Sequence, residues 1–152
     1  HLIQSLLASV TRLNTAEQVS YHLVVRNPLE FQSQALARHC RDILPSGDPQ
    51  IPGLLLDLSR EVQARRRNGV QKAAERPAVM LCIDDLAGML QGLDADGVAR
   101  LHWLAKHGPR SRVWIIASLS SENAPDLNPR LLDAFRTHLV CGITNRRLAK
   151  YL

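Results

Sequence analysis

The six residues AVMLCI at positions 78–83 include no polar side chain, and they run directly into two adjacent carboxylates, Asp84 and Asp85. A strand with one face in water alternates apolar and polar residues. One without alternation must be covered on both faces, and the common solution is a parallel sheet with helices on either side. RVWIIAS (112–118) and HLVCGI (138–143) have the same uninterrupted character. VSYHLVV (19–25) is rich in β-branched residues and stops at Asn27 and Pro28, where the proline removes a donor and biases the residue before it away from helix.

Between these runs the period becomes helical. Leu2, Ile3, Leu6, Leu7, Val10 and Leu13 form one stripe, and a second helix is expected from about 29 to 40, followed by the turn-rich PSGDPQIPG (45–53). A long helix over 54–67 puts Leu54, Leu55, Leu58 and Val62 on one face. Another over 94–107 carries Val98, Leu101, Leu104 and Ala105 and ends at Gly108 before Pro109. Asn128 and Pro129 read as an N-cap and first helical residue opening PRLLDAF, and TNRRLAKYL closes as a capped helix. Strand and helix alternate throughout, so the fold class is α/β with a mainly parallel sheet. At 152 residues and 45% apolar content one domain is expected, with the turn cluster a surface loop within it.

Several chemistries are set aside on composition and spacing. Aromatics are only 4% of the chain, too few for a platform that stacks single-stranded bases, and the net charge of +5 tilts toward a polyanionic partner without establishing one. Cys40, Cys82 and Cys141 show no CxxC or Cys/His spacing and read as small hydrophobes of a reduced, cytoplasmic protein. No apolar stretch approaches a membrane span. His22, His102, His107 and His138 lack metal-ligand spacing and read as solvated or core imidazoles, and Ser118, Ser120, Ser121 and Glu122 lack a GxSxG elbow and read as a polar loop. Glu61 and Arg65 make an i,i+4 pair, while Arg65, Arg66 and Arg67 at a helix C-terminus complement the macrodipole and read as a solvated face.

The two acids are the exception. In open α/β sheets ligands bind outside the carboxyl ends of the strands, and burying two unpaired carboxylates would cost several kcal/mol. Asp84 and Asp85 are therefore expected at an exposed strand tip, or held by a cation or by donors. An apolar strand ending in Asp plus a second acid is the Walker B arrangement of P-loop ATPases, in which one acid holds magnesium through water and the other polarises the attacking water. On that string alone, a carboxylate capping the next loop is at least as good a reading.

Order adds weight. HLIQSLLASV, YHLVVRNPLEF, LLLDLSREVQARRRNGV, PAVMLCIDDLAGML, VWIIASLSSE and NPRLLDAFRTHLVCGITNRRLAKYL follow one another as a helix, a strand entering an Asp-Pro-Lys-like turn, an Arg-ended helix, a Walker B strand, a sensor strand and a closing helix, strand and helix. Over nearly its whole length the chain thus resembles the motor domain of the FtsK/SpoIIIE and HerA class of hexameric DNA translocases, from just beyond their Walker A loop. The resemblance implies that residues 1–152 are one partial domain with a RecA-like P-loop NTPase core lacking the Walker A strand and loop. It implies ATP and Mg2+ as cofactors, with Asp84 on magnesium through water and Asp85 as the water-polarising base. Ser118 becomes the nearest polar candidate for the sensor, and Arg110 or Arg112 a finger reaching a neighbouring subunit, against the stronger reading of AKHGPRSR as a solvated loop. The implied partners are further copies in a ring, hexameric in the family, and either DNA held by its backbone without sequence preference or a protein substrate as in related secretion ATPases.

Departures from the family pattern point the other way. No GxxxxGK[ST] loop occurs in the sequence, and without its amides and lysine the β- and γ-phosphates have no cradle; the chain starts without Met and reads as cut from something longer. Asp85 stands where the family usually has Glu, and Leu119 where it has a sensor Gln. Two functions remain open: an ATP-driven motor domain, and a degenerate, non-hydrolysing scaffold or regulatory domain of a multi-domain or secretion-type ATPase. The isolated chain is also expected to lose an interior strand and expose two fully apolar sheet edges, which predicts association.

Overall fold

The computed structural model describes residues 2–67, 75–120, 122–123 and 127–139. The chain opens with helix α1 (Leu2–Leu13), strand β1 (Val19–Val25), a 3-10 turn (Pro28–Phe31), short helix α2 (Gln32–Ala35), strand β2 (Cys40–Pro45) and long helix α3 (Ile51–Arg67). Strand β3 (Ala78–Ile83), helices α4 (Leu86–Gln91) and α5 (Ala95–His107), a second 3-10 turn (Pro109–Ser111), strand β4 (Val113–Ala117) and short helix α6 (Pro129–Leu132) follow. The four strands make one sheet of order β2-β1-β3-β4, every pair parallel. The expected strand at 138–143 and the closing helix fall, from residue 140 on, outside the described residues, as does Cys141, while His138 and Leu139 have no regular structure.

Side-chain alternation in β1 and β3 explains the unbroken apolar runs. Tyr21, Leu23, Val25, Met80 and Cys82 face α1, where Ile3 and Leu7 meet them with Phe31. The intervening Val24, Val79, Leu81 and Ile83 face the opposite layer of α3, α4 and α5 through Leu55, Leu58, Val62, Met89 and Leu101. Each strand is therefore buried twice, and each large apolar side chain so covered contributes about 1.5–3 kcal/mol relative to exposure. No helix among the described residues is long and apolar enough to cross a membrane.

Four expectations need correction. The helix expected over 29–40 stops at Ala35, and Cys40–Pro45 form β2, whose Leu23↔Ile43 and Val24↔Leu44 pairings with β1 override the local helical pattern. The expectation of two fully apolar edges fails on one side, because edge strand β2 exposes Arg41 and Asp42 and ends in Pro45, features that discourage edge pairing. PRLLDAF is helical only through Leu132, although Asn128 caps it as expected by accepting the Arg130 amide.

Arg65 is the fourth. Far from lying on a solvated face, it is 2% exposed. Its Nη2 donates to Glu61 Oε1 at 2.6 Å and its Nη1 to the Ser111 carbonyl at 2.9 Å, which ties the end of α3 to the turn entering β4. That turn is tight: Gly108 packs so closely that an added Cβ would lie 2.5 Å from the Val113 oxygen, and Arg112 adopts a left-handed conformation with φ 57°. Removing the guanidinium leaves a void and the Ser111 acceptor unsatisfied. Arg65→Ala is expected to lower the unfolding free energy by about 2–4 kcal/mol in urea titrations, against less than about 0.5 kcal/mol for the exposed Arg66→Ala and Arg67→Ala.

Candidate functional site

The β1–β3 register builds the site. Val24 lies opposite Ile83, so the residues two positions beyond each, Arg26 and Asp85, emerge side by side at the carboxyl edge of the sheet. The Asp84 amide donates to the Val24 carbonyl at 2.8 Å, extending the ladder by one step before the chain turns into α4. On the other side β4 delivers Ser118: its amide donates to the Ile83 carbonyl at 2.8 Å, its hydroxyl to the Asp84 carbonyl, and its own carbonyl accepts the Leu86 amide. Ser118 thus fixes the backbone that presents both acids, a placement that a free polar loop would not give.

The two carboxylates sit in different surroundings. Asp85 is the N-cap of α4, and its Oδ1 accepts the Gly88 amide at 3.1 Å. Its Oδ2 receives both Nε and Nη2 of Arg26, each at 3.0 Å. Both oxygens are engaged. Glycine at 88 makes this possible, since a Cβ there would come within 2.9 Å of the Asp85 carboxyl carbon. Arg26 is 75% exposed and Asp85 only 16%, so the pair has one wet partner and is worth at most about 1 kcal/mol.

Asp84 has no such compensation. Among the described residues no side-chain donor reaches its carboxylate. Partial burial, with Glu30 and Asp85 nearby, pushes its pKa above the ordinary value, and Arg26 opposes the shift only in part. A half-buried acid left without a donor at the edge of a parallel sheet suits a hydrated cation, which would supply the missing positive charge.

The remaining candidates fall elsewhere. Arg110 is exposed on the turn before β4, and Arg112 ends that turn; both lie at the amino end of the strand, its full length of roughly 16 Å away from Ser118. Neither can join Asp84 within one chain. His22 is in the core, as one of its two expected placements had it, where its Nδ1 donates to Asp42 Oδ2 at 2.8 Å; burial lowers its pKa and the Asp42 contact opposes this. Cys82 is fully buried, its thiol pushed up to about 12 by burial, whereas Cys40 is only partly buried. Among the described residues no group of three His, Cys, Asp or Glu could hold a metal ion. Sequence reasoning missed Arg26 as the partner of Asp85, and Gly88 as the residue that makes room for the cap.

Helices on both faces of a parallel sheet, with paired acids beyond the carboxyl end of an inner strand, define an open α/β domain whose sheet edge is of the kind at which such folds bind ligands. No protein-family profile matches the chain, and no curated protein does. Solved structures do. The chain is similar to EssC (ATPases 2 and 3) from Geobacillus thermodenitrificans, with a TM-score of 0.75 at 15% identity over 88% of this chain. It is similar to the cytoplasmic domain of EssC, with a TM-score of 0.74 at 16% identity over 89%. A more distant likeness is to the cytoplasmic domain of the type VII secretion ATPase EccC of Thermomonospora curvata, with a TM-score of 0.55 at 13% identity over 88%. The chain spans 28% of each EssC chain and 17% of the EccC chain. The fold is thus the parallel α/β fold found in these EssC and EccC structures.

The surroundings of Asp84 have a measurable consequence. A carboxyl whose pKa is raised in the fold holds its proton more tightly there than in the unfolded chain. Stability therefore falls as pH rises from the ordinary value of 3.8 through the raised one. Asp84→Asn, which cannot ionise, is expected to melt above the unmodified protein at pH 7.5, with the gap closing near the ordinary carboxyl range. A variant that melts lower at both pH values would show that the carboxylate is satisfied in the fold.

Proposed function

We propose that this chain is an ATPase-type module of a multi-domain, secretion-type motor of the FtsK/SpoIIIE class, working in the cytoplasm within a ring of like modules. The observation that carries the reading is Asp84: an uncompensated acid beyond a doubly buried strand, seated between Asp85 and Ser118, in a fold shared with EssC ATPases 2 and 3 and with a type VII secretion ATPase. Asp84 would hold Mg2+ through water. Asp85, once free of Arg26, would orient water, and Ser118 would keep the two acids in register. Magnesium, when bound with ATP, supplies charge neutralisation at the phosphates. The sequence contains no GxxxxGK[ST], so the phosphate cradle comes from outside these 152 residues. Arg110, at the far end of β4, would act on a neighbouring subunit. A protein substrate is favoured over DNA, because one similar structure is that of a type VII secretion ATPase, whereas the DNA reading rests on sequence resemblance alone.

The second reading, a non-hydrolysing scaffold, is favoured by one feature: both oxygens of Asp85 are already engaged, by Arg26 and by the Gly88 amide. Magnesium-dependent ATP binding and turnover in the natural protein separate the two. For the motor, Asp84→Ala and Asp85→Ala should each reduce turnover by roughly a hundredfold or more. ATP binding without turnover, unchanged in either variant, would leave the acids as caps and the module as a scaffold.

A further inference from the structure

We propose that Arg26 is an anion-operated latch on Asp85, closed while the guanidinium pairs with the carboxylate and opened when a phosphoryl group takes the guanidinium away. The inference rests on the reading of Asp84 and Asp85 as the acids of a nucleotide site, and it adds a positioning residue to that site. Three structural features carry it. The latch is closed by geometry, since the two guanidinium nitrogens converge on Oδ2 at 3.0 Å each while Oδ1 caps α4. It is easily opened, because Arg26 projects from the tip of β1 with three-quarters of its side chain in water, and exposed ion pairs are weak and exchange readily. It faces the right competitor: the carboxyl edge of a parallel sheet is where phosphorylated ligands approach, and a phosphoryl group offers the planar guanidinium more charge and more acceptor oxygens than a carboxylate does.

Opening the latch changes what Asp85 can do. Paired with Arg26, it is a neutralised structural cap. Released, it keeps the Gly88 contact on Oδ1 and exposes an unpaired, partly buried Oδ2 next to Asp84, poised to accept a proton from water. The anion thus switches on the acid it needs, and an empty site keeps Asp85 compensated.

The test uses this chain and inorganic tripolyphosphate as the probe, with sodium chloride at matched ionic strength as the control. The side-chain Nε–H resonance of Arg26 and the carboxyl carbon of Asp85 are followed together by NMR. Both are expected to shift along one saturation curve. Asp85→Asn should place Arg26 near its tripolyphosphate-bound position before any anion is added. Arg26→Gln should weaken tripolyphosphate binding roughly tenfold and abolish the Asp85 response, and Arg26→Lys should restore part of the binding. An Arg26 signal that moves without Asp85, or the absence of any shift at either group, overturns the latch. Neither result bears on the ATPase reading, which is judged separately by the effect of Asp84→Ala on magnesium-ATP turnover.

Discussion

The pairing of β1 with β3 is the constraint on which the rest depends. Six consecutive residue pairs, Val19↔Ala78 to Val24↔Ile83, hold two doubly buried strands in one register. A slip of one residue would turn every side chain to the opposite layer, setting Tyr21 against α3 and Val24 against α1. Because the register is locked by burial on both faces, the groups just beyond it are locked too. Arg26 meets Asp85 for this reason alone. The position of the candidate site is therefore a by-product of core packing, and β4 refines it by delivering Ser118 to the Asp84 backbone.

The adjacent acids illustrate how one turn of chain gives two identical side chains different chemistry. Asp85 points back over α4, where a cap donor and a cation hold it. Asp84 points into a partly dry corner beside other carboxylates. Sites that act on charge commonly contain one compensated and one uncompensated group, because the compensated one fixes the geometry while the other remains reactive. The imbalance here is local, with no need for a deep cleft.

Much of the fold was legible from periodicity. β1 and β3 coincide with the runs that suggested them, and α3, α5 and β4 match to within a few residues at each end, because their patterns are long and buried faces leave a strong imprint. β2 was not legible. Arg41 and Asp42 interrupt its apolar character, and an edge strand with one wet side need not alternate cleanly. The fate of Arg65 was hidden for a related reason: three consecutive arginines look alike in sequence, and only the crossing of α3 over the turn at Ser111 singles one out. The acids themselves were legible as a strand-end pair. Their inequality was not, since it depends on a cross-strand neighbour about sixty positions away.

That separation also bears on how the chain reaches its native state. Every strand pair among the described residues is parallel, so none of these pairs can form early as a hairpin template, and β1 must wait until β3 has been synthesised before its inner edge is satisfied. Non-local topologies of this kind fold slowly and leave apolar strands unpaired in the meantime. On the ribosome, VSYHLVV would emerge well before AVMLCI, with the charged edge strand β2 as the first strand available to pair with it. The polar residues of β2, which look like a minor decoration of the finished sheet, would then shield a nascent intermediate from sticking to its neighbours.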